Sequence, residues 1–186
     1  IEIVKLLLND QRIDINQAEN KYGGTDFYVA CGRGHIEVVK LLLKDKRIDV
    51  NKANNGGFTP LLIACQERNI EIVKLLLNDE RVDINKAQSE GATPFHVACL
   101  IGLIEIVKLL LNDKRVDVNQ ANEYGLTPFY AACQKGSIDI VKLLLSEKRV
   151  DVNKANENEA SPLYIACQEG HIEIVLLFLE TPRGIY

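Results

Sequence analysis

A cysteine recurs every 34 residues along this chain of 186 residues, and the step does not change from the first cysteine to the last. The five positions are Cys31, Cys65, Cys99, Cys133 and Cys167. A Thr-Pro pair keeps the same step at residues 59–60, 93–94 and 127–128, and Ser161-Pro162 replaces it in the last copy. A fixed period of this length predicts one small structural unit that is copied along the chain.

Each copy predicts two short helices joined by a turn. In the third copy, Thr93 suits a helix N-cap and Pro94 suits the first helical residue, because the N–H that proline lacks would be unpaired there. The second block has its apolar residues at helical spacing and on one predicted face: Ile104, Val107, Leu110 and Leu111. Helices of about eight residues are marginal alone in water, so the copies must stack on one another.

The order of motifs in each copy resembles the ankyrin repeat. The fourth copy shows it well, with Asp-Val-Asn from Asp117, Gly-x-Thr-Pro from Gly125, Ala132-Cys133, and Ile-Val-Lys-Leu-Leu-Leu from Ile140. The resemblance covers essentially the whole chain. It implies an all-α fold, an ankyrin-repeat solenoid of stacked helix-loop-helix units with hairpin-like loops.

The period also predicts the domain organisation. We expect a single ankyrin-repeat domain over residues 1–186, in which residues 1–13 form a partial repeat with a second helix only. The complete repeats are expected at 14–48, 49–82, 83–116, 117–150 and 151–186, and the last one carries a C-terminal tail. Glu159 stands where the turn has a glycine in the other copies, which costs about 1 kcal/mol where φ is positive.

The five cysteines raise the alternatives of disulfides, a metal site or a nucleophile. Equivalent atoms in stacked helices lie about 10 Å apart, whereas a disulfide needs Cα atoms within about 7 Å. Metal sites have ligands at short spacings, and these cysteines are far apart in sequence. We therefore interpret them as small buried residues of the first helices. Unpaired thiols of this kind predict a reducing, cytoplasmic location.

Three polar columns follow the period through the loops. The arginine column and the aspartate column are expected to pair and so to link adjacent copies, and an anion-binding stripe is the weaker alternative. The asparagine column is expected to hydrogen-bond to the backbone of the neighbouring loop. The columns are Arg12, Arg47, Arg81, Arg115 and Arg149; Asp14, Asp49, Asp83, Asp117 and Asp151; and Asn16, Asn51, Asn85, Asn119 and Asn153.

Composition and motifs exclude several classes of function. The formal net charge of −4 gives no basic surface for nucleic acid, and no apolar run approaches the ~18 residues of a membrane span. Of the three histidines, His35 and His171 occupy a turn that the ankyrin family uses structurally, and His96 is expected to be a hydrogen-bonded structural residue. No nucleophile–base pair stands out. We predict no catalytic residues, no metal ligands and no cofactor, and no enzymatic activity.

Function is expected where the copies differ. By resemblance to the family, partners bind the concave face made by the hairpin tips and the first helices. The third copy has Leu100-Ile101 where three other copies have Gln followed by a charged residue, which predicts an apolar patch flanked by Phe58, Tyr124 and Leu126. The candidate partner-binding residues are Phe58, Glu90, Ala92, Leu100, Ile101, Tyr124, Leu126, Gln134 and Lys135.

The sequence thus predicts a non-catalytic module that binds another protein on its concave face, as a monomer with at most weak self-association. Other interpretations of Leu100 and Ile101 are packing against neighbouring helices, isolated exposure of the kind common on protein surfaces, and a contact between copies of the chain. An alternative function is the targeting or substrate-recruiting arm of a larger multidomain protein or enzyme whose catalytic part lies outside this chain.

Overall fold

The computed structural model describes residues 2–10, 12–19 and 21–180. Contacts divide the chain into two compact units, Ile1–Ser89 and Glu90–Tyr186. The helices of the first unit are α1 Glu2–Asn9, α2 Asp26–Gly32, α3 Ile36–Lys44, α4 Pro60–Gln66 and α5 Ile70–Leu77. Those of the second unit are α6 Pro94–Leu100, α7 Ile104–Asn112, α8 Pro128–Lys135, α9 Ile138–Ser146, α10 Pro162–Gln168 and α11 Ile172–Glu180. The predicted C-terminal tail lies outside the described residues.

The first helix of every complete repeat begins at a hydroxyl side chain. In each case the hydroxyl oxygen accepts a hydrogen bond from the backbone N–H three residues later, at 3.1 Å. The caps are Thr25, Thr59, Thr93, Thr127 and Ser161. Proline follows four of them, and Asp26 follows Thr25. The predicted N-cap at Thr93 is confirmed, and the equivalent residue caps the helix even in the first copy, where Thr-Asp stands in place of Thr-Pro.

Each unit is a stack of helix pairs. In the first unit α2 packs against α3 and α4, and α5 packs against α3 and α4. In the second unit α8 packs against α6, α9 and α10, while α9 also packs against α7 and α11. Fully buried side chains lie between the pairs, such as Phe27 in the first unit and Phe129, whose ring centroid is 5.9 Å from that of Phe178, in the second. Burial of one such side chain contributes about 1.5–3 kcal/mol.

The apolar face of the second helices differs from the predicted one by one residue. In α7 the structure buries Val107, Leu110 and Leu111 as expected, but it buries Ile106 and leaves Ile104 half-exposed. Ile104 is the first residue of the helix, whereas Ile106 lies within it and is 1% exposed.

Asparagine side chains join successive loops, as predicted. In the second unit, Asn119 Nδ2 donates to the Arg149 carbonyl at 2.7 Å, and Asn119 Oδ1 accepts from the Asp151 N–H at 2.8 Å. In the first unit, Asn51 makes the same two bonds with Arg81 and Asp83. Each amide thus satisfies one donor and one acceptor of the following loop, where one repeat ends and the next begins, and so holds successive loops together.

The predicted pairing of the arginine and aspartate columns is wrong. Arg47 binds Asp45, two residues earlier in its own loop, at 2.6 Å, and Arg81 binds Asp79 in the same way. The aspartates of the predicted column instead accept from the backbone N–H two residues later, as Asp49 does from Asn51. These side chains bond to groups two residues away, so the hydrogen bonds stabilise a tight turn within one loop.

The arginines still link neighbouring repeats, but through the backbone. Arg47 Nη2 donates to the Leu8 carbonyl at 2.7 Å, and Arg149 Nη2 donates to the Leu111 carbonyl at 2.6 Å. These carbonyls lie in the last turn of a second helix, where no intrahelical donor remains and where a positive charge is favourable. The Arg47 guanidinium also donates a hydrogen bond to Asp45, which holds the pKa of that carboxyl below its usual value.

The turn ahead of each first helix places a residue at positive φ. Gly125 has a φ of 72°, and a Cβ on it would lie 2.8 Å from the Glu157 backbone nitrogen of the next turn. Glu159 has a φ of 61°, so a non-glycine residue adopts the left-handed conformation at this turn, as the sequence predicted. No further turn of the described chain packs on Glu159, which leaves room for a side chain. Arg68, in the turn between α4 and α5, is a second non-glycine residue of this kind, with a φ of 60°.

Replacement of Glu159 by glycine is expected to stabilise the protein. The left-handed conformation costs a non-glycine residue about 1–2 kcal/mol, and the extra flexibility of glycine in the unfolded chain offsets part of that gain. We expect Glu159→Gly to raise the free energy of unfolding by about 0.5–1 kcal/mol in urea denaturation. A lower urea midpoint for Glu159→Gly than for the original protein would contradict backbone strain at Glu159.

The asparagine bonds can be tested with a matched pair of variants. Asn119→Ala removes two hydrogen bonds to the following loop and is expected to lower the free energy of unfolding by about 1–2 kcal/mol. Asn153 occupies the equivalent position in the last repeat, and within the described chain no further loop faces its side chain. Asn153→Ala should therefore change the free energy of unfolding by less than about 0.5 kcal/mol. Equal losses in both variants would refute this role for the asparagine column.

Candidate partner-binding surface

Four candidate residues lie at the C-terminal ends of two neighbouring first helices in the second unit. Leu100 is the last residue of α6 and is half-buried, and Ile101 follows it with 41% of its surface exposed. Gln134 and Lys135 end α8, which packs against α6. Gln134 is half-buried and Lys135 is exposed. We call these four residues the helix-end group. Neither Leu100 nor Ile101 is sealed from solvent, so both can contact a partner.

Four other candidates lie at the hairpin tips of the same unit and form the tip group: Glu90, Ala92, Tyr124 and Leu126. The Glu123 N–H donates to the Glu90 carbonyl at 3.0 Å, which places the two tips side by side. Asn122 Oδ1 accepts from the N–H groups of Tyr124 and Leu126, both at 3.0 Å, and so fixes the shape of the second tip. Tyr124 is 57% exposed on this rigid tip.

The two groups lie at opposite ends of the first helices. The tips precede α6 and α8, whereas the helix-end group closes them, and a helix of seven or eight residues is about 10–12 Å long. Val97 and Ala131, which lie midway along α6 and α8, are buried. The structure thus brings the candidates together in two groups rather than in the single patch that the sequence predicted. Phe58 lies in the first unit, half-buried, at the tip fixed by Asn54 Oδ1.

Ala92 is a poor contact residue because the structure buries it. It directly precedes the N-cap Thr93, and the larger residues at the same place in other copies, Phe58 and Leu126, are half-buried. With 5% of its surface exposed, Ala92 offers little area to a partner. The sequence could not show this because the copies differ there in size and not in polarity.

His171 has the structural role expected of it. Its Nε2 lies 3.0 Å from the Gln134 carbonyl at the end of α8. Asn69 takes the same position in the first unit, where its Nδ2 donates to the carbonyls of Cys31 and Gly32, both at 2.8 Å. Both side chains cap the first helix of the preceding repeat and hold its C-terminal end in place.

His96 is buried as expected, but the predicted hydrogen bond is absent. Only 1% of the residue is exposed, and neither ring nitrogen has a hydrogen-bond partner in the described part of the chain. Burial lowers the pKa of His96 to about 4, and the nearby Leu126 backbone opposes this shift only in part. In other copies a tyrosine occupies this position, and Tyr28 OH accepts from Asn54 Nδ2 at 3.1 Å. The shorter histidine side chain makes no such bond with the equivalent Asn122.

The lowered pKa of His96 predicts acid sensitivity. Because the ring is neutral in the folded state down to about pH 4, the unfolded chain binds more protons between that pH and the ordinary histidine pKa of 6.5. Its contribution to stability is present above pH 6.5 and falls by about 3 kcal/mol as the pH drops to 4. His96→Tyr should remove this loss. The free energy of unfolding of the variant, measured in urea, should therefore exceed that of the original protein by more at pH 4 than at pH 7. A constant difference would contradict the burial of a neutral ring.

The structure separates the cysteines into two kinds. Cys31, Cys65, Cys99 and Cys133 are buried, as predicted, whereas Cys167 is exposed. Burial raises the pKa of Cys31 to about 12 and shifts those of the other three in the same direction. Burial thus favours the protonated form of these four thiols, whereas the thiolate is the nucleophilic form of cysteine. Cys167 departs from the prediction because no further helix pair of the described chain covers α10. Over the described ranges, no group of three or more His, Cys, Asp and Glu side chains could hold a metal ion.

Comparison with known families matches almost the whole chain. A family model described as ankyrin repeats (3 copies) matches residues 1–88 and 95–185, and a second, described as ankyrin repeats (many copies), matches residues 67–111. The chain belongs to the ankyrin repeat family, and the all-α ankyrin-repeat fold class is confirmed. Comparison with curated proteins gives no match.

Membership of this family establishes a general role. Ankyrin repeats are protein–protein interaction modules, and domains built from them are typically non-catalytic. In the part of the chain that the structure describes, no helix is long and apolar enough to cross a membrane.

Sequence comparison of the copies missed two features of the first unit. Tyr22 is an exposed aromatic residue at a hairpin tip, at the position of Tyr124, and Lys21 Nζ lies 4.8 Å from the centre of its ring. Gly32 ends α2, where three other copies have glutamine, and a cleft opens beside it. The sequence signal used for the candidate surface was an apolar residue in place of a polar one, and the cleft beside Gly32 arises instead from a side chain that is absent.

Proposed function

We propose that the protein is a non-catalytic interaction module that binds another protein on the concave face formed by its hairpin tips and first helices. The observation that carries this proposal is the helix-end group. Leu100 and Ile101 replace the Gln and charged residue of sister copies, and Ile101 is exposed although nothing in its own repeat requires an apolar residue there. Large apolar side chains beside polar neighbours are the composition of an interface centre.

Charge around the tip group adds a preference for the partner. Glu123 and Glu157 are exposed on adjacent tips, and the Glu157 N–H faces the Tyr124 carbonyl at 3.5 Å. Neither carboxylate forms an ion pair with a described cation. The partner surface that faces these tips is therefore neutral or basic, because a second acidic surface would be repelled.

Rigid presentation favours binding. The tips are fixed by Asn122 and Asn156, and each of these side chains accepts two backbone N–H bonds within its own turn. Little conformational entropy is lost when such a surface meets a partner. The proposal includes a monomeric state with at most weak self-association, and it includes a reducing, intracellular location, which the four buried free thiols support.

The helix-end group can be tested by giving it the residues of a sister copy. Leu100→Gln with Ile101→Glu reproduces Gln66-Glu67, so the fold is retained. Partners are first captured from the native host with the original protein and identified by mass spectrometry. We expect the double variant to bind the purified partner at least about 30-fold more weakly, the effect of losing one interface hot spot.

Ile172→Glu is the matched control, since it exchanges an exposed isoleucine in the same unit on a second helix. It should leave the dissociation constant within about twofold of the original value. Unchanged affinity in the double variant, or equal losses in the double variant and the control, would show that the helix-end group is not the binding surface.

A further inference from the structure

The first unit contains a cleft that arises from one absent side chain. Gly32 is the last residue of α2, and the equivalent residues of α4, α6, α8 and α10 are Gln66, Leu100, Gln134 and Gln168. Its φ is not among the positive values, so the backbone does not require glycine here. A Cβ on residue 32 would lie 3.0 Å from Ile63 Cγ1 on the neighbouring α4. The glycine leaves the space above Ile63 open.

The open space has a volume of about 380 Å³ and is lined by Tyr28, Val29, Gly32, Arg33, Ile63 and Glu67. Val29 and Ile63 form its apolar floor. Val29 is 47% exposed, whereas Val97, its equivalent in α6 of the other unit, is 9% exposed beside Leu100. The cleft is thus a property of this repeat and not of the repeat framework.

The rim of the cleft carries both donors and an acceptor. Tyr28 OH accepts a hydrogen bond from Asn54 Nδ2, which orients the hydroxyl, and its own hydrogen is donated to no acceptor in the described part of the chain. Arg33 and Glu67 are exposed at the ends of α2 and α4, and they form no ion pair with each other. A neutral group with both a donor and an acceptor, such as a peptide bond, matches this rim better than an ion of either sign.

We propose that this cleft binds an aromatic side chain of an extended peptide segment from a partner protein. The ring enters above Val29 and Ile63, beside the Tyr28 ring, and the Arg33 guanidinium covers its outer face. The peptide carbonyl next to the aromatic residue accepts the hydrogen of Tyr28 OH, and the peptide N–H faces Glu67. The site is separate from the helix-end group and does not depend on it.

The chemistry of the walls selects an aromatic residue over an aliphatic one. Aromatic rings pair favourably with another ring at an offset or edge-on, and a guanidinium is attracted to a ring face. An aliphatic side chain gains neither interaction. A volume of about 380 Å³ holds one such side chain with its backbone and is at the low end of ligand-binding pockets.

The test uses the minimal probe N-acetyl-phenylalanine amide, with N-acetyl-leucine amide and N-acetyl-alanine amide for comparison. Each is titrated into the whole chain while the methyl resonances of Val29 and Ile63 are followed by NMR, because probes of this size bind in the millimolar range. The proposal predicts saturable shifts with the affinity order phenylalanine, leucine, alanine. No saturation with the phenylalanine probe, or tighter binding of the leucine probe, would overturn it.

Variants then establish that the cleft is the site. Gly32→Gln fills it with the sister residue, and the second unit carries the same combination at the equivalent positions, Gln134 and Ile165. It should abolish the saturable shifts, and Gly32→Ala, which adds one methyl group, should weaken them. Lys44→Gln, at the exposed end of α3, is the control and should not change them. Unchanged binding in either Gly32 variant would refute the proposed site.

Discussion

The apolar faces of helices only seven to nine residues long are covered by neighbouring helix pairs, and every other feature of the structure depends on this burial. In the second unit α8 lies between α6 and α10, and Phe129 meets Phe178 of the last pair. Helices of this length are marginal in isolation. Stability therefore comes from contacts between repeats, and the loop asparagines and helix-capping arginines set the spacing at which those contacts form.

This dependence divides the residues into two classes. Residues that recur in the copies serve the framework, as Thr127 does at the N-cap of its own helix and Asn119 does between successive loops. Residues that depart from the period are free to serve a partner. Leu100 adds apolar surface to its repeat, whereas Gly32 removes a side chain and opens a cleft. One framework can thus acquire a binding surface by gain or by loss at a single helix position.

Much of the framework could be predicted from the sequence because local rules determine it. Proline and threonine mark helix starts, and the turn of Glu159 has the positive φ that its sister glycines implied. Predictions that depended on which side-chain atoms meet in three dimensions were wrong. Arg47 pairs with Asp45 within one turn, the His96 ring nitrogens have no partner in the described chain, and Ala92 is buried. The candidate residues were placed in one patch because their separation along the helix axis cannot be read from residue types.

The most direct test is the behaviour of one repeat in isolation. A synthetic peptide of residues 117–150 contains both helices, the N-cap and the loop asparagine of a complete repeat, but no neighbouring pair. Far-ultraviolet circular dichroism should show a largely unfolded chain without a cooperative thermal transition, whereas the whole protein should unfold cooperatively. A peptide with native helix content and a cooperative transition would contradict the account, because its helices would then not need a neighbour.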